Sequence, residues 1–248
     1  MQSAQASYNA AVGFASLGQV DPVSHIAGQK IYLFSGTKDQ TVKQSVMDAV
    51  RDFYEAAQVP AANLRYVNST AAGHAFISDD FGSGCDVTVT PFVNECAVDG
   101  APYDQPAAIL TQIYGPLKPK ATSLSSTPVA FDQSQYAGAL TGMASKGYVY
   151  VPASCQQASA KCALHVVFHG CLQSADTVGD AVYGRLGYNE WADSNGIIIL
   201  YPQVDKSMIP YNPQGCWDWW GYSGLNFQTK GGPQLSVVHA MVQQLTNQ

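Results

Sequence analysis

In the first half of the chain, short apolar runs alternate with a longer segment of helical spacing. Residues 30–34 are rich in β-branched and aromatic side chains, which predicts a buried strand, and residues 64–67 are predicted to form a second strand. Between them, apolar residues recur three and four positions apart over residues 41–58, and this spacing predicts an amphipathic helix that ends before Pro60. Residues 105–114 are predicted to form another helix.

The second half repeats the alternation after a stretch without periodicity. Residues 116–137 are rich in Pro, Ser, Thr and Lys, which indicates a linker or a long surface excursion. The later elements are predicted strands at 147–151, 164–168 and 197–201, with helices at 188–194 and 234–245. Strands that alternate with helices predict an α/β protein with a mostly parallel central sheet and helices on both faces. We expect a single domain over residues 1–248.

Composition and charge exclude several classes of protein. Only 12% of the residues are charged while 46% are hydrophobic, which excludes a disordered tail or a highly charged coiled coil. The formal charge of −6 argues against a nucleic-acid partner, because binding to phosphates needs basic clusters. No run of about 18 apolar residues is present, so no membrane span is predicted.

The cysteines indicate the redox compartment. None of the six has the Cys-x-x-Cys spacing of a zinc or redox site, and an even number at hairpin-like distances favours disulfides. Cys85–Cys96 and Cys155–Cys162 are close in sequence, and Cys171–Cys216 follows by elimination. The alternative is six buried thiols in a cytosolic protein. No secretion signal is recognisable after Met1, so either an export signal was removed with other N-terminal sequence or the disulfide interpretation is wrong.

Two candidate catalytic residues follow predicted strands. Asp39 lies between a strand and a helix, and His74 lies in the loop after the next strand. In open α/β sheets, catalytic groups collect beyond the carboxyl ends of strands, and an acid followed by a histidine matches the later part of the Ser…Asp…His order of α/β-hydrolases. The carboxylate would orient the imidazole, which would take a proton from a serine. Alternatively, Asp39 caps the following helix and His74 is an exposed loop residue.

A third strand end carries the sequence His169-Gly170-Cys171. A glycine-containing turn after a strand resembles the loop that donates a backbone N–H to the oxyanion in lipases and esterases, and the Cys171 amide could fill that role. The competing interpretation is a thiol dyad of Cys171 and His169. Neighbouring side chains of an extended segment tend to point to opposite faces, which argues against the dyad.

Aromatic residues are concentrated near the C-terminus. Trp217, Trp219, Trp220 and Tyr222 lie within six residues, in a predicted loop. Such rings provide apolar area with polar tips, which suits an apolar ligand rich in oxygen. The alternative is a structural lid held by Cys216.

Together these segments resemble the extracellular poly(3-hydroxybutyrate) depolymerases, specifically the group with a circularly permuted α/β-hydrolase domain. The resemblance covers nearly the whole chain. The segments that carry it are residues 33–42, 72–74, 167–173, 188–193, 200–203, 215–222 and 229–234.

The resemblance implies a secreted serine-type hydrolase of poly(3-hydroxybutyrate) or a related polyester. It implies a catalytic Asp39 and His74, an oxyanion-hole amide at Cys171, and a crevice formed in part by the tryptophan-rich loop. It also implies a monomeric enzyme that needs no metal or organic cofactor. Two alternatives stay open, a hydrolase of feruloyl or aromatic esters and a non-catalytic polyester-binding protein.

The chain departs from the family pattern at the nucleophile. The family places its serine upstream of the aspartate, in a Gly-x-Ser-x-Gly elbow, and no such elbow occurs in these 248 residues. The nearest look-alike is Gly221-Tyr222-Ser223-Gly224, whose last glycine is one position too early. We therefore expect Met1 to lie inside a longer protein, with the nucleophile upstream of it. Loss of catalysis with retention of binding is the rival explanation.

Overall fold

A computed structural model describes residues 3–138, 140–157 and 159–246. The chain divides into two compact units, Met1–Pro116 and Leu117–Gln248. The division falls where the predicted Pro/Ser/Thr-rich excursion begins. The single-domain interpretation stays a prediction, and each unit is described by itself.

The described residues of the first unit form three α-helices and seven short strands. Strands β1 and β2 form one parallel pair, strands β3, β5 and β4 form a parallel three-stranded sheet, and β6 pairs with β7 antiparallel. In chain order the elements are α1 (Ala4–Ser16), β1 (Ile31–Phe34), α2 (Gln44–Ala56), β2 (Leu64–Val67), β3 (Phe76–Ser78), β4 (Ser83–Gly84), β5 (Val93–Glu95), β6 (Ala97–Val98), β7 (Ala101–Pro102) and α3 (Gln105–Tyr114).

Helix α2 packs on the β1–β2 pair, as its hydrophobic spacing predicts. Ile31 and Leu33 of β1 are buried, and Met47, Val50 and Tyr54 of α2 belong to the same apolar cluster. The helix begins three residues later than predicted and ends two residues earlier. Its end is explained by Gln58, which adopts a left-handed backbone conformation with φ of 63° and cannot continue the helix.

The second unit is built on a four-stranded sheet in the order β10-β11-β9-β8. The β10–β11 pair is parallel, whereas β9 runs antiparallel to both β11 and β8. In chain order the elements are β8 (Val129–Asp132), β9 (Lys146–Tyr150), β10 (Ala163–Val166), α4 (Ala175–Val178), α5 (Tyr188–Asn195), β11 (Ile197–Tyr201) and α6 (Pro233–Thr246). Helix α6 packs against the sheet through Val237 and Met241, which contact Leu200 of β11.

The predicted α/β class is confirmed, and the strands predicted at 147–151, 164–168 and 197–201 are present within one or two residues. Strand β8 was not predicted, because it lies within the segment 116–137 that was interpreted as a linker or excursion. Its Val129 is exposed, so this edge strand lacks the alternation that marks a half-buried strand.

All three predicted disulfides are formed, and the described residues include no free cysteine. The interpretation as six buried thiols was therefore wrong. None of the described helices combines the length and apolar character needed to cross a membrane.

Candidate active site

The loops that carry Asp39 and His74 are joined through their backbones in the first unit. The Thr37 amide donates to the Thr70 carbonyl at 2.8 Å, and the Lys38 amide donates to the Ala72 carbonyl at 3.1 Å. A side chain at Gly36 would bring its Cβ within 2.1 Å of the Ala72 carbonyl oxygen. The glycine therefore permits the close approach that brings the two loops together.

Asp39 and His74 form a hydrogen-bonded pair. Nδ1 of His74 lies 2.8 Å from Oδ2 of Asp39. The other carboxylate oxygen, Oδ1, accepts the backbone N–H groups of Thr41 at 2.8 Å and Val42 at 2.9 Å. An ionised carboxylate can only accept, so Nδ1 of a neutral His74 carries the proton and Nε2 keeps its lone pair. This is the tautomer that a general base needs.

The two side chains differ in exposure in the way that their predicted roles require. The Asp39 side chain is 10% exposed, whereas that of His74 is 43% exposed. The His74 backbone N–H donates to Oγ1 of Thr88 at 2.9 Å, which fixes the loop while the ring faces solvent. Beside the pair lies a cavity of about 290 Å³, lined among others by Phe34, Phe76 and Ile109. The pair can therefore accept a proton from a group that enters this cavity.

The alternative role of Asp39 as a helix cap is not what the structure shows. Helix α2 begins at Gln44, its N-cap position is Lys43, and no side chain caps it. Asp39 instead closes the turn over residues 39–42, which delays the start of the helix and leaves Oδ2 facing His74.

In the second unit, the loop after β10 is held by a buried histidine. His169 is 3% exposed, and its Nε2 accepts the Val204 backbone N–H at 3.1 Å. Its Nδ1 therefore carries the proton and donates to the Gly170 carbonyl at 2.7 Å. Burial lowers the pKa of His169 despite the opposing effect of that bond, which keeps the ring neutral. The competing interpretation, a thiol dyad with Cys171, is excluded, since the cysteine sulfur lies in a disulfide.

The bond from His169 orients the peptide unit between Gly170 and Cys171. In a trans peptide the carbonyl and the N–H point in opposite directions, so a fixed Gly170 carbonyl also fixes the direction of the Cys171 N–H. None of the backbone hydrogen bonds among the described residues has that N–H as its donor. The next residue, Leu172, adopts a left-handed conformation with φ of 58° and donates its N–H to the Gln214 carbonyl at 2.7 Å.

Residues 217–223, called the aromatic loop below, follow the Cys171–Cys216 disulfide. Trp217 is half-buried, and its ring makes an edge contact with Phe168 at 4.8 Å between centroids. Trp219 is 72% exposed and contacts Trp220 at 5.1 Å. Trp217 and Trp219 line a cavity of about 540 Å³ with other apolar residues of the second unit, namely Phe168, Phe227, Leu235 and Val238.

Trp220 and Tyr222 do not line this cavity. The Tyr222 hydroxyl donates to the Cys216 carbonyl at 2.7 Å and receives Nε2 of Gln234 at 2.7 Å. Its polar tip is therefore engaged within the second unit. The predicted substrate contacts of Trp220 and Tyr222 stay predictions. Trp217 and Trp219 line the cavity, so they are better placed to contact a ligand that enters it.

Ser223, the serine of the elbow look-alike, is also engaged locally. Its hydroxyl donates to Oδ2 of Asp218 at 2.7 Å. A nucleophilic serine is hydrogen-bonded instead to a histidine that accepts its proton. The geometry agrees with the sequence argument that this serine does not belong to an elbow.

Sequence reasoning missed three residues that organise these loops, His169, Asp218 and Gln234. His169 was considered only as a partner of a thiol. Asp218 carried a usable signal, since an aspartate that precedes a glycine-containing turn commonly accepts the backbone N–H groups that follow it. Gln234 carried none, because its contacts are distant in sequence.

Known proteins resemble this chain in sequence. A family model described as esterase PHB depolymerase matches residues 147–248. The poly(3-hydroxybutyrate) depolymerase of Delftia acidovorans is 41% identical over 239 residues, which cover 94% of this chain and 46% of that protein. The polyhydroxybutyrate depolymerase of Talaromyces funiculosus is 37% identical over 246 residues, which cover 92% of this chain and 69% of that protein. The chain thus spans about half of the first relative and just over two thirds of the second.

Solved structures agree with the sequence matches. The crystal structure of PHB depolymerase from Penicillium funiculosum has a TM-score of 0.87 and 34% identity, covering 96% of this chain and 77% of that one. A serine-to-alanine variant of PHB depolymerase complexed with an R3HB trimer matches with the same values. This likeness confirms the predicted α/β-hydrolase-type fold. With relatives at this level of identity over almost all of its length, the chain belongs to the polyhydroxybutyrate depolymerase family.

Proposed function

We propose that this protein is a serine-type carboxylic ester hydrolase that depolymerises poly(3-hydroxybutyrate) or a related polyester. One observation carries the proposal, the 2.8 Å contact between the largely buried Asp39 carboxylate and Nδ1 of the partly exposed His74. The contact leaves the lone pair of His74 Nε2 directed away from the carboxylate, as general-base catalysis requires. Family membership supports the same chemistry.

The proposed reaction is acyl transfer through a serine. The serine hydroxyl attacks the ester carbonyl and gives its proton to His74 Nε2, while Asp39 stabilises the imidazolium. His74 then protonates the leaving alkoxide, and the ester bond breaks to leave an acyl-enzyme. Water attacks the acyl group and gives its proton to His74, the bond between the acyl carbon and the serine oxygen breaks as His74 protonates that oxygen, and 3-hydroxybutyrate oligomers are released. Because the Ser223 hydroxyl is hydrogen-bonded to Asp218, the proposal does not assign the nucleophile to Ser223.

The second unit supplies the remaining proposed roles. The Cys171 N–H stabilises the oxyanion, because an amide with a fixed direction and no backbone acceptor among the described residues is available to developing charge. His169 acts through that amide as a positioning residue, since it holds the Gly170 carbonyl of the same peptide unit.

The aromatic loop and its cavity supply binding of the polymer. An uncharged polyester presents methyl groups and ester oxygens, which suit the apolar wall formed by Trp217, Trp219, Phe168 and Leu235. The R3HB trimer bound by the related depolymerase has this chemistry. In the proposal Trp220 and Tyr222 complete the binding surface, and the protein acts as a single extracellular domain and as a monomer. The three disulfides support an oxidising compartment.

The test compares two histidine variants in the protein of natural length. We expect His74→Ala to lower the turnover of poly(3-hydroxybutyrate) films by about 10⁴-fold or more, because it removes the proton acceptor. His25→Ala, at an exposed histidine of the same unit, is the matched control and should retain normal turnover. Near-normal hydrolysis by His74→Ala would overturn the assigned mechanism.

Substrate class is tested with the same preparations. Turnover of aromatic polyester or feruloyl esters, without turnover of poly(3-hydroxybutyrate), would favour the alternative hydrolase. Adsorption to polyester granules without any hydrolysis, and loss of adsorption in Trp219→Ala, would favour a non-catalytic binding protein.

A further inference from the structure

The aromatic loop lacks the regular hydrogen bonds of a helix or strand, and a single carboxylate replaces them. Oδ1 of Asp218 accepts the backbone N–H groups of Trp220 at 3.1 Å, Gly221 at 2.6 Å and Tyr222 at 3.1 Å. Oδ2 accepts the Ser223 N–H at 2.8 Å and the Ser223 hydroxyl at 2.7 Å. Five donors from four consecutive residues therefore converge on one side chain.

A buried glutamine links this carboxylate-centred loop to helix α6. The Asp218 N–H donates to Oε1 of Gln234 at 2.8 Å. Nε2 of Gln234 donates to the Tyr222 hydroxyl at 2.7 Å and to the Thr141 carbonyl at 2.8 Å. Gln234 is only 8% exposed, and a buried amide that satisfies all its partners gives a well-defined geometry.

The converging bonds also determine the electrostatics of the apolar cavity. Among the residues that the structure describes, Asp218 is the one ionisable residue that lines it. Burial alone would raise the pKa of Asp218, but the hydrogen bonds from Ser223, Gly221 and Tyr222 outweigh it and lower the pKa. The carboxylate stays ionised with its lone pairs occupied by the loop, so the cavity presents no carboxylate that needs a cationic ligand.

We infer that Asp218 is a positioning residue that holds the aromatic loop in the conformation that binds polyester, so that Trp219 is presented to the polymer in a pre-formed geometry. The inference rests on the proposed function and deepens it. Residues held in place before binding lose less conformational entropy when the ligand arrives. A flexible loop would present the same indoles with lower affinity. The effect falls on the polymer, because a small ester does not need the whole aromatic surface.

The test compares Asp218→Asn with Asp132→Asn in the 248-residue chain. Asparagine at 218 cannot accept on both sides, since its amide N–H₂ must face either the Ser223 donors or the other three N–H groups. Asp132 is the matched control, since it also accepts a local backbone N–H and hydroxyl, both from Ser134 at 2.9 and 2.5 Å, and it lies outside the aromatic loop. The readouts are the near-ultraviolet circular dichroism of the tryptophans and adsorption to poly(3-hydroxybutyrate) granules.

We expect Asp218→Asn to lose much of the tryptophan signal and to adsorb about tenfold more weakly, which corresponds to the loss of charge-assisted hydrogen bonds. Asp132→Asn should match the wild type in both measurements. In the protein of natural length, Asp218→Asn should raise the KM for the polymer by a larger factor than the KM for a soluble p-nitrophenyl ester. A general folding defect would impair the turnover of both substrates alike. A difference between the two KM changes therefore separates positioning from a merely structural role.

The outcomes distinguish this inference from the function on which it rests. An unchanged tryptophan signal and unchanged adsorption in Asp218→Asn would overturn the positioning role and leave the hydrolase proposal intact. Loss of the signal in that variant, with no adsorption by the wild type, would support the ordering of the loop by Asp218 and count against polyester as the ligand.

Discussion

The first unit and the second unit each contain an aspartate that accepts consecutive backbone N–H groups, but the two carboxylates differ in what else they bind. Asp39 uses one oxygen for the amides of Thr41 and Val42 and directs the other to His74. Asp218 uses both oxygens for the loop that follows it. The number of acceptor positions left over, rather than the residue type, separates a carboxylate that can orient a histidine from one that organises a loop.

The same comparison explains the different placement of the neighbouring serine and histidine. The backbone amides of Thr41 and Val42 bind Oδ1 of Asp39 and so orient the carboxylate with Oδ2 towards His74. At Asp218 the corresponding oxygen is occupied by the Ser223 hydroxyl at 2.7 Å. Ser223 therefore belongs to a turn, and its hydroxyl donates to a carboxylate rather than to a histidine that could activate it.

The largest effect is expected from converting the Asp39 carboxylate to an amide. Only one oxygen of this carboxylate accepts backbone amides, and we call it half-occupied for that reason. In Asp39→Asn, Oδ1 can still accept from Thr41 and Val42, and Nδ2 then donates to Nδ1 of His74. The imidazole would be held in the wrong tautomer, with its proton on Nε2. We expect kcat for ester hydrolysis to fall by about 10⁴-fold in the protein of natural length, with little loss of stability.

The control for that variant is Asp104→Asn. Asp104 caps helix α3 by accepting the Ala107 N–H at 2.8 Å, and asparagine is an equally good cap. It should retain full activity. Comparable losses in both variants would contradict a specific role for the Asp39–His74 pair.

An intermediate effect is expected from converting the Asp218 carboxylate, both oxygens of which accept loop donors, to an amide. The effect is on the free energy of unfolding, and it depends on pH. Because the folded pKa of Asp218 is lowered, its contribution to stability is present above the unfolded value of about 3.9 and is lost as the pH falls through the folded pKa. At pH 7, Asp218→Asn should lower the free energy of unfolding by about 2 kcal/mol. Urea unfolding at pH 7 and at acid pH should show the difference between variant and wild type narrowing at low pH. A difference that is constant with pH would contradict the account.

The smallest effect is expected at Asp205, whose surroundings disfavour the ionised carboxylate. Burial, and then the nearby negative charge of Asp176, raise the pKa of Asp205. A carboxylate whose folded pKa is raised destabilises the fold once it ionises, as the pH rises above its unfolded value. Asp205→Asn should therefore raise the free energy of unfolding at pH 7 by about 0.5 kcal/mol, a small figure because the group is only half-buried. Thermal unfolding measures it, and a decrease in stability would contradict the sign.

The hydrophobic pattern was sufficient to predict the elements that build the core. It failed where the hydrophobic pattern does not correspond to burial. Strands β2 and β11 and helix α3 have their predicted bounds, because their apolar residues face an interior. Strand β8 was missed because it is an exposed edge strand. The start of α2 was placed too early because Asp39 binds the amides of residues 41 and 42 and so closes a turn ahead of the helix.

The candidate site shows the same division. The pairing of Asp39 with His74 could be predicted because each follows a strand and their motifs are local in sequence, whereas the role of Cys171 stays a prediction. The roles of His169 and Gln234 could not, since each depends on a partner at least 35 residues away, the Val204 amide for His169 and the Thr141 carbonyl for Gln234. Such contacts arise from tertiary packing, which the pattern of the sequence does not encode locally.

The tautomer of His74 tests the central claim most directly. Two-dimensional NMR of ¹⁵N-labelled imidazole rings reports which nitrogen carries the proton, at a pH where the ring is neutral. The account predicts a proton on Nδ1 and an unprotonated Nε2 in the wild type, with the opposite arrangement in Asp39→Asn. A wild-type ring protonated on Nε2, or a tautomer that is the same in both proteins, would contradict the claim that the half-occupied Asp39 carboxylate orients the catalytic base.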